Sequence, residues 1–295
     1  MPETSELFKS KQLEQKYMDA YAKTLSLWPV PYESVYVETS YGTTHVLVSG
    51  PTDGSPVMLL NGFGFSATMW YPNVQALATN HRVYAVDVIG EFNRSAAKKH
   101  FTAKADYVNW LVELLDRLGI EQADFIGHSN GGWHVLNFSM QAPHRVRKIV
   151  LLAPAASFAP FTKQFGIRLL AANVLKFRPV IIDFCAKWFI GKENRGNVSD
   201  HLIEQFYHGI KGFGWKHKVL IPSVYRNEEL QSIAKPALLI IGEKEVIYDY
   251  KRALARAKQL IPHIQTRSIS GVGHGTNIEK PEYVNQEMVD FLKSK

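Results

Sequence analysis

Apolar residues in this chain fall into short unbroken runs, separated by stretches with helical spacing. Val57-Met58-Leu59-Leu60 and Ile149-Val150-Leu151-Leu152, the latter within a strand Arg147–Leu152, suit strands buried on both faces. Arg82–Val86, Asp124–Ile126, Ala237–Ile241 and Gln265–Ile269 read as further strands. Helical spacing is found at Ala67–Ala78, Ala103–Leu118, Gly132–Gln141, 249–260 and 281–292. Such alternation predicts a parallel sheet covered by helices. Ser34–Thr39 and Thr44–Ser49, joined through Tyr41-Gly42, predict an antiparallel start to that sheet. Before them, residues 5–27 place Leu7, Leu13, Tyr17, Tyr21 and Leu25 at roughly helical intervals, as an exposed helix would.

The alternation stops after Pro154. From 157 to 230 the pattern is helical, without a clear buried strand. Aromatics crowd there: Phe158, Phe161, Phe165, Phe177, Phe184, Trp188, Phe189, Phe206, Tyr207, Phe213 and Trp215. We read a helical cap at 157–230, inserted into a core made of 1–156 and 231–295. Most of these rings are expected to pack the cap itself, and some to face a pocket beneath it. There are no internal repeats.

Composition narrows the class. The 295 residues are 46% hydrophobic and 21% charged, which suits a soluble globular fold. The one cysteine, Cys185, forbids an intrachain disulfide and cysteine-based metal spacings, and fits a reducing cytoplasm. The start Met-Pro-Glu-Thr-Ser-Glu lacks the basic and apolar parts of a signal peptide, and no apolar run is long enough to span a membrane. The net charge of +7 is spread over the surface rather than gathered in a nucleic-acid-binding tail. Residues 157–230 hold +5 of it, with eleven Lys or Arg against six Asp or Glu, which favours anionic ligands or a lipid surface there.

One turn carries chemistry. Gly127-His128-Ser129-Asn130-Gly131 closes the strand Asp124–Ile126 and opens a helix. This G-x-S-x-G pattern between strand and helix presents a serine as nucleophile. Ser129 needs a base, and His274 in Gly271-Val272-Gly273-His274-Gly275 sits in the loop after the last strand, although the chain has 11 histidines. The base needs a carboxylate to orient it. Glu243, Glu245 and Asp249 all follow the strand Ala237–Ile241. Glu245 is chosen because Val246-Ile247 can bury it; Glu243 is left to cap or face solvent, and Asp249 to start the next helix. The backbone N–H groups of Asn130 and of Phe63, in Asn61-Gly62-Phe63-Gly64-Phe65, would form the oxyanion hole.

In this order these motifs, with Asp87-Val88-Ile89-Gly90, resemble the α/β-hydrolase family from about Ser34 to Leu292. More narrowly, Tyr84–Gly90, Gly242–Asp249 and the Asn61-Gly62 loop resemble the bacterial carboxylesterase NP group, the naproxen-type esterases. The resemblance implies a mostly parallel, eight-stranded sheet flanked by helices. It also implies hydrolysis of carboxylic esters with a bulky apolar acyl part. Asn61 stands where many α/β-hydrolases have His, the acid is Glu where Asp is more frequent, and Asn130 replaces an apolar residue. The last places a polar side chain near the pocket floor.

The function expected is a serine carboxylesterase using Ser129, His274 and Glu245 through an acyl-enzyme, on small-molecule esters. Hydrolysis of C–C bonds, thioesters or amides by the same residues is the alternative, followed by a non-catalytic ligand sensor. No metal or organic cofactor is implied, nor a nucleic-acid partner or membrane insertion. The oligomeric state is open.

Overall fold

A computed structural model describes residues 7–214 and 220–294. Trp215, and residues 5 and 6 of the expected first helix, lie outside the described residues.

The first half runs α1 (Lys11–Leu25), β1 (Tyr32–Thr39), β2 (Gly42–Ser49), β3 (Ser55–Leu60), α2 (Val74–Ala78), β4 (His81–Val86) and β5 (Ala96–Ala97). It continues with α3 (Lys104–Arg117), β6 (Ala123–His128), α4 (Asn130–Gln141) and β7 (Val146–Leu152). Then come α5 (Lys163–Leu175), α6 (Arg178–Ile182), α7 (Asp200–Gly212) and α8 (Asn227–Gln231). The chain closes with β8 (Ala237–Gly242), α9 (Tyr250–Leu260), β9 (Gln265–Ile269), α10 (Thr276–Glu279) and α11 (Pro281–Lys293).

Eight strands form one sheet in the order β1-β2-β4-β3-β6-β7-β8-β9, and the two-residue β5 adds to β2. The pairs β1–β2 and β2–β4 are antiparallel, and all pairs from β4 to β9 are parallel. The mostly parallel eight-stranded sheet expected from the sequence is therefore present. Val57, Met58, Leu59 and Leu60 are fully buried, because alternate side chains enter opposite cores. Met58 and Leu60 join Trp110 of α3 and Phe138 of α4; Val57 and Leu59 join Tyr17 and Tyr21 of α1 and Met288 of α11.

Two expected helices differ. The first starts at Lys11, where the Ser10 hydroxyl accepts from the Leu13 N–H. Leu7 precedes it in a turn, and Phe8 bridges to Phe213. The stretch Ala67–Ala78 is a 3-10 turn, Ala67–Trp70, followed by α2. Pro72 has no N–H for the ladder, and Asn73 turns its amide to Asn277 O and Asn285 Oδ1.

The insertion between β7 and β8 is helical among its described residues, with a π-helical turn at Asp183–Trp188 and a 3-10 turn at Lys192–Asn197. It packs on the core partly through α1, which lies along α7.

Candidate active site

Ser129 sits in the sharp turn from β6 to α4. Its backbone has φ 52° and ψ −115°, an uncommon region for a residue with a side chain. The turn is held from three directions. Ser129 N–H donates to Leu152 O (2.9 Å), and its carbonyl accepts from Trp133 N–H (3.1 Å) and Ala155 N–H (3.0 Å). Gly131 allows the close approach: a Cβ there would lie 2.1 Å from Leu60 O on β3.

His274 follows β9, and Glu245 follows β8. Ser129 Oγ lies 2.8 Å from His274 Nε2, and His274 Nδ1 lies 2.7 Å from Glu245 Oε2. The Glu245 side chain is fully buried. Its other oxygen accepts from the N–H groups of Val246 (2.8 Å) and Ile247 (2.9 Å). The two competing acids are engaged elsewhere. Glu243 accepts from the Ser268 hydroxyl, and Asp249 caps α9 by accepting from Arg252 N–H. The structure thus brings the predicted Ser129, His274 and Glu245 into one hydrogen-bonded line.

The loop after β3 faces this line. Gly62, Phe63, Ser129, Asn130 and His274 all line one cavity of about 980 Å3. Asn61 is fully buried and braces the loop from inside: its amide donates to Gly62 O (3.1 Å) and Phe65 O (3.0 Å), and its oxygen accepts from Val88 N–H (3.4 Å). The cavity walls are apolar. The insertion gives Phe161, Phe165, Phe184, Phe189 and Phe206, and the core gives Phe101 and Ile247. Of the other aromatics named from the sequence, Phe158, Tyr207 and Phe213 are buried in packing, Trp188 stacks on Phe165, and Phe177 is exposed.

Three buried polar groups lie behind this surface. Glu91 is fully buried, with one oxygen 2.9 Å from Asn130 Nδ2 and the other 3.3 Å from Asn61 Nδ2. Burial pushes its carboxyl up to about 8. Asn130 lines the cavity, and its amide nitrogen is turned to Glu91. His128 is held neutral by burial, which pushes it down to about 3, and its Nε2 lies 2.9 Å from His274 O.

Glu279 is the third. It accepts from the N–H groups of Gly273 and Gly275, on either side of His274, and from Gly191 N–H and Asn194 Nδ2 of the insertion. Phe189 O accepts from His274 N–H (2.7 Å). The loop bearing His274 is therefore tied to the insertion. Sequence reasoning did not select Glu91 or Glu279. The available signal was an acid set among apolar neighbours: Ile89-Gly90-Glu91-Phe92 and Ile278-Glu279. Among the described residues, no three His, Cys, Asp or Glu side chains gather as metal ligands, and no helix is long and apolar enough to cross a membrane.

Comparison with known proteins is consistent with this geometry. A profile of the alpha/beta hydrolase fold matches residues 55–175. The chain is 37% identical to the uncharacterized carboxylesterase nap of Bacillus subtilis (strain 168), over 95% of this chain and 93% of that protein. It is 36% identical to carboxylesterase YbfK of the same organism, over 94% and 93%. The crystal structure of naproxen esterase (carboxylesterase NP) from Bacillus subtilis superposes with a TM-score of 0.90, at 36% identity, over 97% of this chain and 100% of that one.

Proposed function

The chain belongs to the α/β-hydrolase family and is a carboxylic ester hydrolase, and on that premise we propose that it works as a serine esterase through a Ser129-His274-Glu245 triad. His274 Nε2 takes the proton of Ser129 as Oγ attacks the acyl carbonyl. The oxyanion that forms is bound by the N–H groups of Phe63 and Asn130. Protonated His274 then gives its proton to the departing alcohol, which leaves an acyl-enzyme. Water, deprotonated by His274, attacks that ester and releases the acid and free Ser129. Glu245 accepts the Nδ1–H throughout, which fixes the tautomer and balances the imidazolium charge.

The observation that carries this reading is the unbroken contact line from Ser129 Oγ through His274 to Glu245, with distances of 2.8 and 2.7 Å. Both are hydrogen-bond distances, with the acid buried and the serine at the cavity wall. The aromatic lining supports a bulky apolar acyl group, with residues 157–230 acting as the cap above it. The buried single Cys185 accords with a cytoplasmic setting.

The test uses a panel of p-nitrophenyl esters of rising acyl size, together with a fluorophosphonate. Cleavage of the esters, and a phosphonyl adduct on the peptide bearing Ser129, are expected. No cleavage together with no adduct would sink the reading.

A further inference from the structure

The acid behind the serine turn has no part in the proton transfers above. Glu91 lies in the loop after β4, wholly out of water. Its carboxyl touches both walls of the oxyanion hole. On one wall it meets the Asn130 side chain at 2.9 Å, and Asn130 is the residue whose backbone N–H follows the nucleophile. On the other it meets the Asn61 amide at 3.3 Å and the backbone N–H of Gly64, so it grips the loop on both sides of Phe63. The two walls come from β3 and β6 and are not otherwise joined by a buried side chain in the described hydrogen bonds that link these residues.

We infer that Glu91 is the positioning residue of the oxyanion hole, setting the separation of the Phe63 and Asn130 donors by holding both loops with one carboxyl. The inference rests on the serine-esterase reading above. The charge of this group matters as much as its reach. Burial, with Asp87 nearby, favours its neutral form, and it titrates at about 8. A neutral acid can bridge the two loops without placing negative charge behind the oxyanion, provided the Asn130 amide turns over so that its oxygen, which has no other partner, accepts the carboxyl O–H while the other carboxyl oxygen accepts from Asn61 Nδ2. Ionised, it opposes the charge that develops on the substrate oxygen. That opposition acts on the transition state and hardly on the uncharged ester, so it lowers kcat and spares KM.

The other groups facing Glu91 do not duplicate this effect. Asp87, on its own loop, is held by His45, Tyr21 and two backbone N–H groups. Tyr17 of α1 and Tyr107 of α3 are kept neutral by burial, which raises both hydroxyls. His134 of α4, 3.3 Å from the Asn130 amide, is kept neutral by burial, which lowers it to about 3. His274 acts as a base in its neutral form, so raising the pH cannot lower the rate through it.

The experiment measures kcat and KM on one soluble ester from pH 5 to 10, with Tm recorded at each pH. The wild-type kcat should fall as pH rises through about 8 while KM stays flat. Glu91→Ala should lose roughly 10- to 100-fold in kcat, less than the ~10²–10³ for deleting a donor outright, with KM changed less than about threefold. Glu91→Gln keeps the bridge but cannot ionise. Asn130 can turn its oxygen, which now has no partner, toward the new amide. This variant should recover most of the kcat lost in Glu91→Ala and should lack the alkaline fall.

An alkaline fall that persists in Glu91→Gln overturns the inference. So does a Glu91→Ala enzyme that loses Tm but not kcat. If Glu91→Ala does not fold, the profile of Glu91→Gln alone decides. Fluorophosphonate labelling of wild-type Ser129 separates the two levels: no label sinks the serine-esterase reading, whereas a label with either result above sinks only the role of Glu91.

Discussion

The loops at the ends of β3, β6, β8 and β9 and the insertion between β7 and β8 both line the same cavity, yet they are built to different tolerances. In the loops, the buried carboxylates and the Asn61 amide meet defined partners. Glu245 takes three donors, Glu279 takes N–H groups from Gly191, Gly273 and Gly275, and Asn61 donates to Gly62 O and Phe65 O. In the insertion, the cavity wall is wholly apolar and includes five phenylalanines, and the other side of α5 leaves Ile167, Leu170 and Val174 more than 60% exposed. One region fixes atoms and the other fixes volume. Hydrogen bonds lose their value steeply with misplacement, while apolar contact tolerates repacking at constant volume. The chemistry should therefore be sensitive to single atoms in the loops, and substrate range should be sensitive to bulk in the insertion.

Changes in the contact line should have the largest effect. Ser129→Ala and His274→Ala should each remove roughly 10⁴-fold or more of kcat, with Tm nearly unchanged. Glu245→Gln should cost less than either, roughly 10⁴-fold, because the base remains and only its orientation and charge balance suffer. Steady-state kcat on one soluble p-nitrophenyl ester, per mole of purified folded protein, checks each value. If Glu243→Gln were the more damaging change, the loop after β8 would have been misassigned.

A middle-sized effect is expected in the insertion. Phe184→Ala should raise KM for a bulky aryl ester about tenfold and change kcat/KM for an acetate ester less than about threefold. An equal loss on both esters would break the contrast, since Phe184 would then be serving the chemistry.

The pH dependence of stability sharpens the same contrast, because the buried ionisable groups lie under the loops. Glu91 titrates at about 8 in the fold against 4.5 ordinarily, so the folded state holds a proton that the unfolded chain has lost. Its contribution is complete below 4.5 and is lost as pH rises to about 8. His128 and His134 titrate at about 3 against 6.5, so their contribution is complete above 6.5 and is lost as pH falls to about 3. Stability from urea unfolding should peak near 6.5, the ordinary value of the two histidines, and decline on both sides, and Glu91→Gln should remove the alkaline decline. The smallest effect belongs to the outer side of α5: Ile167→Ser should shift unfolding free energy by less than about 0.5 kcal/mol.

Legibility in the sequence follows the same division. Strands such as Val57–Leu60 were readable because burial on both faces demands a continuous apolar run. Ser129 and Glu245 could be named because each follows such a run at a loop, and His274 because glycines flank it in the loop after the last strand. The helix expected at Ala67–Ala78 was misread, since one proline and the role of Asn73 outweighed the spacing. Glu91 and Glu279 escaped notice because their partners are largely backbone N–H groups and asparagine amides distant in sequence, which leave no local pattern. The insertion was legible only as helical and aromatic. Which of its rings turn inward depends on packing, and its π-helical turn at Asp183–Trp188 has no signature of spacing.

The N-terminal segment imposes an order of events on the chain as it is made. Leu7 O and Lys9 N–H pair with Gly214 N–H and Gly212 O, α1 lies along α7, and Tyr17 donates to Phe92 O. α1 therefore leaves the ribosome long before α7, and waits some two hundred residues for the partner that covers it. Contacts so distant in sequence form late and carry a large loop-closure cost. Until α7 arrives, the apolar side of α1 is open to chaperones or to another nascent chain. A fusion partner placed ahead of Leu7 would act on that waiting period, and so on the yield of folded protein, long before it met the finished enzyme.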